Sequence, residues 1–319
     1  MSGTQLLENF LQALTAGLLT GAVYGLMCVG LSLIFGVMRV INFAQGDFMM
    51  LGMYLAYYAF GLLLAHTAFG PHIAPYLAAL AAGPIVFLAG IAVHRLLIRG
   101  VSGIRGSALE SEGHYAQLIL TLGVALVLQN GGLMLFGSAP VSIGTPLSSS
   151  AWSIGPLVGD AVEIFVNQAQ TFAALIALAA VAGFVLLMNR SRLGKSLRAA
   201  ADNPQAAIYM GIDVDRAHRL AFGFGVALTA IGGGLLASGG PFQPYVGLEY
   251  VIVMYAGVVL GGLGSVAGAF LGGLTIGLVQ QLSTLVLPNQ LQNSAIFVVF
   301  LIIVLLRPDG LFGKALRRT

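Results

Sequence analysis

Residues Phe10–Asp47 read FLQALTAGLLTGAVYGLMCVGLSLIFGVMRVINFAQGD. An uncharged run reaches Phe35, and a Gly- and polar-interrupted segment then leads to the next apolar run at Phe48. The first run exceeds the roughly 20 residues a helix needs to cross hydrocarbon. No Lys or Arg precedes it and the first cation, Arg39, follows it. That order predicts a retained helix with an external N-terminus rather than a cleaved leader.

The same pattern continues outward from this segment. Apolar runs cover Phe48–Leu64, Pro75–Ile98, Gln117–Phe136, Gln168–Met188, Leu220–Ser238, Val251–Leu263, Ala267–Leu287 and Ala295–Leu306. The last must begin near Leu291 to cross, and Val251–Leu263 reads as a short or broken crossing. The chain is 58% hydrophobic and 8% charged, where soluble domains carry about 25% charged residues. It lacks the polar residues to coat a globule in water, so the expected fold is an all-α polytopic membrane protein of about eight or nine transmembrane helices, in one domain over residues 1–319.

Apart from Arg39, every cation falls in one of three clusters: Arg95, Arg99 and Arg105; Arg190, Arg192, Lys195, Arg198, Arg216 and Arg219; Arg307, Lys314, Arg317 and Arg318. All three are expected on the cytoplasmic side of a plasma membrane. An external N-terminus and a cytoplasmic C-terminus require an odd number of crossings, which favours nine. Glu8, Asp160, Glu163 and Glu249 then lie outside. The net charge of +3 is topogenic and no nucleic-acid partner is implied, because the cations flank apolar spans without interleaved aromatics. The lone Cys28 and five scattered histidines offer no disulfide, metal set or catalytic base. These histidines are expected mostly at loop or helix ends, solvated.

Two segments read as interruptions rather than packing: Gly36–Asp47, and Gly261–Gly268 with the sequence GGLGSVAG. Paired Gly-interrupted segments build a path or hinge in transporters, because unwound backbone at membrane depth needs protein or water to satisfy it. Asn42, Gln45, Asp47, Gly264 and Ser265 are therefore the translocation-path candidates. A second reading leaves Asp47 as the cap of the next helix. Gly257, Gly261, Gly264, Gly268 and Gly272 recur at helical spacing, a small-residue stripe expected on one helical face, in which Gly257, Gly261, Gly268 and Gly272 serve helix packing. Tyr24, Tyr54, Tyr57 and Tyr255 stand either along a path or as interfacial anchors. The external loop 137–167, with Trp152, Asp160 and Glu163, reads as a docking surface or as a lid.

The cytoplasmic loop 189–219 carries its own helix signals. Asp202 or Asn203 caps, Pro204 opens, Gln205–Met210 forms a short helix and Gly211 supplies a left-handed stop. Leu193–Ala201 precedes it as a second short helix with a basic face. The pair suits a lipid anchor or a grip for a partner protein, and the small residues Ala199, Ala200, Ala201, Ala206 and Ala207 favour the partner. Leu193-Gly-Lys-Ser196 is no P-loop, since Asn189 stands where the first glycine belongs and no strand precedes it.

GLSLIFGVMRVINFAQGDFMMLGMYLAYY (Gly30–Tyr58), LRAAADNPQAAIYMGI (Leu197–Ile212), GGLGSVAGAFLGGLTIG (Gly261–Gly277) and RPDGLFGK (Arg307–Lys314) occur in order along the chain. They resemble LivH-type permeases of branched-chain amino acid ABC transporters over essentially its whole length. The resemblance implies a type II ABC importer permease in a bacterial inner membrane. Its implied partners are a LivM-like permease, two cytoplasmic ATPases that carry the ATP and Mg, and an external solute-binding protein. The chain itself is then neither an ATPase nor any other enzyme and holds no cofactor. The resemblance also places ATPase coupling on Ala200, Ala201, Asp202, Asn203, Pro204, Gln205, Ala206, Ala207, Gly211 and Ile212. Branched-chain amino acids are the implied cargo, although similar systems carry other amino acids, urea, amides or aromatic acids. The rival class is an ion-coupled secondary transporter of small solutes, which would work without ATPase partners.

Overall fold

The computed structural model describes residues 3–66, 70–99, 110–155, 162–288, 291–307 and 310. Its helices are α1 (Gly3–Met38), α2 (Gln45–His66), α3 (Ala74–Val93, continued by a π-helical turn His94–Ile98), α4 (Glu110–Phe136), α5 (Gln168–Arg190), α6 (Arg192–Asp202), α7 (Pro204–Tyr209), α8 (Val214–Leu236), α9 (Val246–Gly261), α10 (Val266–Ser283) and α11 (Gln292–Leu306). Among the described residues seven helices are long and apolar enough to cross a membrane, and α9 and α11 are shorter apolar helices. The chain is a multi-pass membrane protein.

Contacts at the two ends show that the nine apolar helices alternate in direction. At one end Arg99 pairs with Asp215 at 3.4 Å, Arg198 donates to Asn189 Oδ1 at 2.8 Å, and Gly310 lies against Val259 and Gly262. The described cations of the three clusters gather here, at what is therefore the basic end. At the opposite end Gln12 exchanges hydrogen bonds with the backbone of Phe165, Val141 pairs with Phe242, and Gln280 donates to Asn293 Oδ1 at 3.4 Å. Arg105, Asp160, Lys314, Arg317 and Arg318 lie outside the described residues.

α1 from Gly21 to Ile34 and most of α8 form the buried centre, and α10 runs antiparallel along α1. Glycines permit this closeness: Gly21 abuts Gly277 and Gly25 abuts Gly273, backbone to backbone. With lipid tails as apolar as the side chains, such contact is what holds membrane helices together. The 257–272 glycines do not form one helical face as the spacing suggested, because the helix breaks between Gly261 and Val266. Gly257 and Gly261 on α9 instead face Gly272 and Gly268 on α10 across a tight hairpin. Gly262 (φ 95°) and Gly264 (φ 83°) make its turn in the left-handed region, where a side chain is strained.

Two more expectations change. The loop after α4 contains a small antiparallel sheet, β1 (Ala151–Ile154) and β2 (Ile164–Asn167), in register Ala151 to Asn167. It lies over the ends of α1 and α5, through Gln12 on Phe165 and Trp152 on Phe172, in the manner of a lid. His94 is buried against Phe222 rather than solvated, and His218 Nε2 is also buried, because both rings fall where α3 and α8 pack together.

Candidate functional site

The Gly36–Asp47 interruption is a re-entrant turn. α1 ends at Met38, the chain doubles back, and α2 begins at Gln45 at the depth of Gly225 and Thr229, near the middle of α8. Extended backbone at that depth must find protein partners. Thr121 Oγ1 of α4 accepts from the Phe43 N–H at 3.4 Å and Asn42 Oδ1 accepts from the Ala44 N–H at 3.2 Å. Asn42 Nδ2 donates to Gln45 Oε1 at 2.8 Å. Gln45 Nε2 donates to Thr229 Oγ1 at 2.5 Å and to the Gly225 carbonyl at 3.2 Å. Both amides are fully buried. Their hydrogen bonds are taken up in holding the break together, so they brace it and do not face open space.

Replacing Gln45 with leucine removes the partner of the Asn42 amide and a donor to Thr229. Leaving a buried polar group unsatisfied costs about 1–3 kcal/mol, so we expect a lower thermal midpoint for the purified variant with its expression retained. An unchanged midpoint would show that the amide network does not hold the break.

Asp47 is different. It sits in the first turn of α2, 7% exposed, against the Gly247 backbone, and no ion pair reaches it among the described residues. Asp47 therefore lies inside the first turn of α2 rather than at its cap, where the helix N-terminus offsets part of the cost of a carboxylate at this depth. Of the tyrosines, Tyr54 is buried and stacked on Phe136 at 4.1 Å, and Tyr24 is buried with its hydroxyl on Gln280 Oε1 at 2.8 Å. Phe43 meets Tyr255 at 5.8 Å.

The second break touches the first: Gly36 packs on Gly264, and Ser32 Oγ donates to the Ser265 carbonyl at 3.4 Å. Ser265 also caps α10 by accepting from Gly268 N at 3.1 Å. Gly264 and Ser265 thus stand at the basic end, away from the Asn42–Gln45 network. Gly264 borders a cavity of about 930 Å³ between the end of α1, α5, α6 and the α9–α10 turn. A second cavity of about 220 Å³, bordered by Tyr24, Met53 and Tyr250, opens near the other end. Between them α1 is buried from Leu26 to Leu31.

The loop after α5 folds as its residue types dictate. Ser191 caps α6 by accepting from Gly194 N at 2.9 Å, and Asn203, rather than Asp202, caps α7 by accepting from Ala206 N at 3.0 Å. Asp202 is the last residue of α6. Gly211, at φ 79°, ends α7 with Ile212 N donating back to the Ala207 carbonyl at 2.9 Å. Asp213 then caps α8 through Arg216 N at 2.9 Å.

The alanines expected to receive a partner divide. Ala200 (0% exposed) and Ala207 (4%) pack inward with Leu197, Val214 and Ala217, fixing the loop to α8, whereas Pro204, Gln205 and Ala206 are exposed. The prominent apolar surface at the tip belongs to the last three residues of the expected short helix, Ile208 (46%), Tyr209 (88%) and Met210 (82%), none of which is among the residues expected to couple. Their sequence signal is an apolar triplet placed directly before the glycine that ends the helix in the left-handed region. Tyr209 and Met210 are thus held outward on a single capped turn.

The family model described as "Branched-chain amino acid transport system / permease component" matches residues 13–306. The chain is 32% identical to the "High-affinity branched-chain amino acid transport system permease protein BraD" of Pseudomonas aeruginosa, covering 96% of both chains. It is 29% identical to the corresponding LivH of Escherichia coli (strain K12), again over 96% of each. It is also 26% identical, over 70% of this chain and 68% of that one, to the "Autoinducer 2 import system permease protein LsrD" of Klebsiella pneumoniae.

Proposed function

The chain belongs to the branched-chain amino acid transport system permease family, and on that premise we propose that it pairs with a second, LivM-like permease in an ABC importer for branched-chain amino acids. Two cytoplasmic ATPases supply ATP and Mg, and an external binding protein delivers the cargo. The basic end faces the cytoplasm and the N-terminus the outside, in accord with the positive-inside rule. The observation that carries this reading is the α7 tip, which presents Tyr209 and Met210 outward at the basic end on a base locked to α8 by buried Ala200 and Ala207. ATPase closure pulls on residues Ala200–Ile212, α8 moves with them, and Gln45 and Thr229 transmit the shift to the re-entrant turn. Gly264 and Ser265 act as the hinge, Asn42 and Gln45 brace the break, and Asp47 faces the path. No nucleotide binds this chain.

The test is uptake of labelled leucine by cells with and without the chain. We expect saturable uptake to vanish on deletion, to be competed by isoleucine and valine but not by urea, and to stop when ATP is depleted. Competition by urea alone would reassign the cargo. Uptake that survives ATP depletion and collapses with the proton gradient would replace the ABC reading with ion coupling.

A further inference from the structure

We propose that the cavity of about 930 Å³ at the basic end holds the headgroup of an anionic phospholipid, with its phosphate between Arg39 and Arg198. Arg39 is exceptional on two independent counts. It is the one cation outside the three basic clusters, and it is the one described non-glycine residue in the left-handed region, at φ 54°.

The backbone reason is plain. Arg39 follows the end of α1 and its N–H closes the last turn onto the Phe35 carbonyl at 2.8 Å, a position that glycine ordinarily fills. A non-glycine residue there is strained. In a chain with 44 glycines, an arginine at this point retains a strained backbone and gains a guanidinium bordering the cavity of about 930 Å³. Such strain points to a function for the side chain.

Arg198 comes to the same mouth from α6, held by its bond to Asn189 Oδ1 at 2.8 Å. Two guanidiniums are suited to phosphate recognition. Leu33, Val37, Val185, Val259 and Leu263 line the walls, matching glycerol and acyl carbons rather than water. The volume exceeds what a free amino acid fills, and basic pockets between membrane helices on the cytoplasmic side recur as lipid headgroup sites. Asp202 also borders the cavity and opposes an anion there. Because α6 forms one side, a bound lipid would brace the helix that leads to the α7 tip.

The test uses the chain purified in mild detergent with the subunits it retains, loaded with phosphatidylglycerol or phosphatidylcholine, and bound lipid counted by native mass spectrometry. Phosphatidylglycerol retention should fall about five-fold for each of Arg39→Gly and Arg198→Gln, rise for Asp202→Asn, and weaken with salt, while phosphatidylcholine is unaffected. Arg39→Gly relieves the backbone and so keeps the fold. Equal retention in native and variant proteins would overturn the proposal. So would displacement of the lipid by millimolar leucine, which would make the cavity a substrate vestibule, or by glycerol phosphate alone, which would make it a soluble-anion site.

Discussion

Substituting Tyr209 and Met210 together by aspartate is expected to abolish transport while leaving the permease folded and in the membrane. The two side chains are 88% and 82% exposed, so they contribute almost nothing to the chain's own packing. In the proposed complex they are the anchors that enter the ATPase cleft, and truncating such an anchor weakens association about 30-fold or more. A buried charge on each side chain raises that cost further. The measurement is recovery of ATPase subunits on the tagged permease together with leucine uptake. Recovery at the native level would show that the tip is not the grip. The contrasting substitution, Ala207→Asp, buries a charge beside Val214 and Ala217 and is expected to unfold the loop, so it tests folding rather than docking.

Gly46→Val is expected to yield no folded protein. A Cβ at Gly46 would fall inside the carbonyl of Gly247, and the Val251 side chain closes the remaining space. The obstacle is backbone on α9, which cannot change rotamer. The cost therefore exceeds the roughly 1–3 kcal/mol of ordinary overpacking. The start of α2 and the start of α9 would have to separate, carrying Asp47 and the re-entrant turn with them. Gly61 has open space where its Cβ would lie, so Gly61→Val should express as the native chain does. The check is the monodisperse fraction in fluorescence size exclusion. A normal Gly46→Val profile would mean that the two helices do not cross there.

Hydrophobic runs and helix-end chemistry are legible in the sequence. Each apolar run became a helix with modest changes of boundary, and α11 begins at Gln292, beside the start near Leu291 that crossing length requires. In the loop after α5, Asn203, Pro204 and Gly211 act locally, through a side-chain bond, a fixed φ and a left-handed φ, and local chemistry is legible one residue at a time. α1 is 36 residues long, well beyond the run from Phe10 to Phe35. Its first turns stand clear of the bundle, and Gln12 is anchored to β2, a contact that no local pattern announces.

Facing was not legible. α2 and α10 are apolar on every side, so no amphipathic stripe distinguishes lipid from protein. The glycine spacing from Gly257 to Gly272 therefore read as one face, where the structure has two helices in contact. The depth at which Asn42 and Gln45 sit was hidden for the same reason, because it depends on Thr229, far along the chain. Ala200 and Ala207 resembled docking surface in composition, and only their packing with Leu197, Val214 and Ala217 shows that they are buried.

The most direct test of the account is to tag the chain at its C-terminus, extract it gently from its native membrane, identify what co-purifies, and repeat with Ala200–Ile212 scrambled. The account predicts a second permease and two ATPases with the native chain, and loss of the ATPases alone on scrambling. A chain that purifies by itself and still transports, or ATPases that remain bound after scrambling, would contradict it.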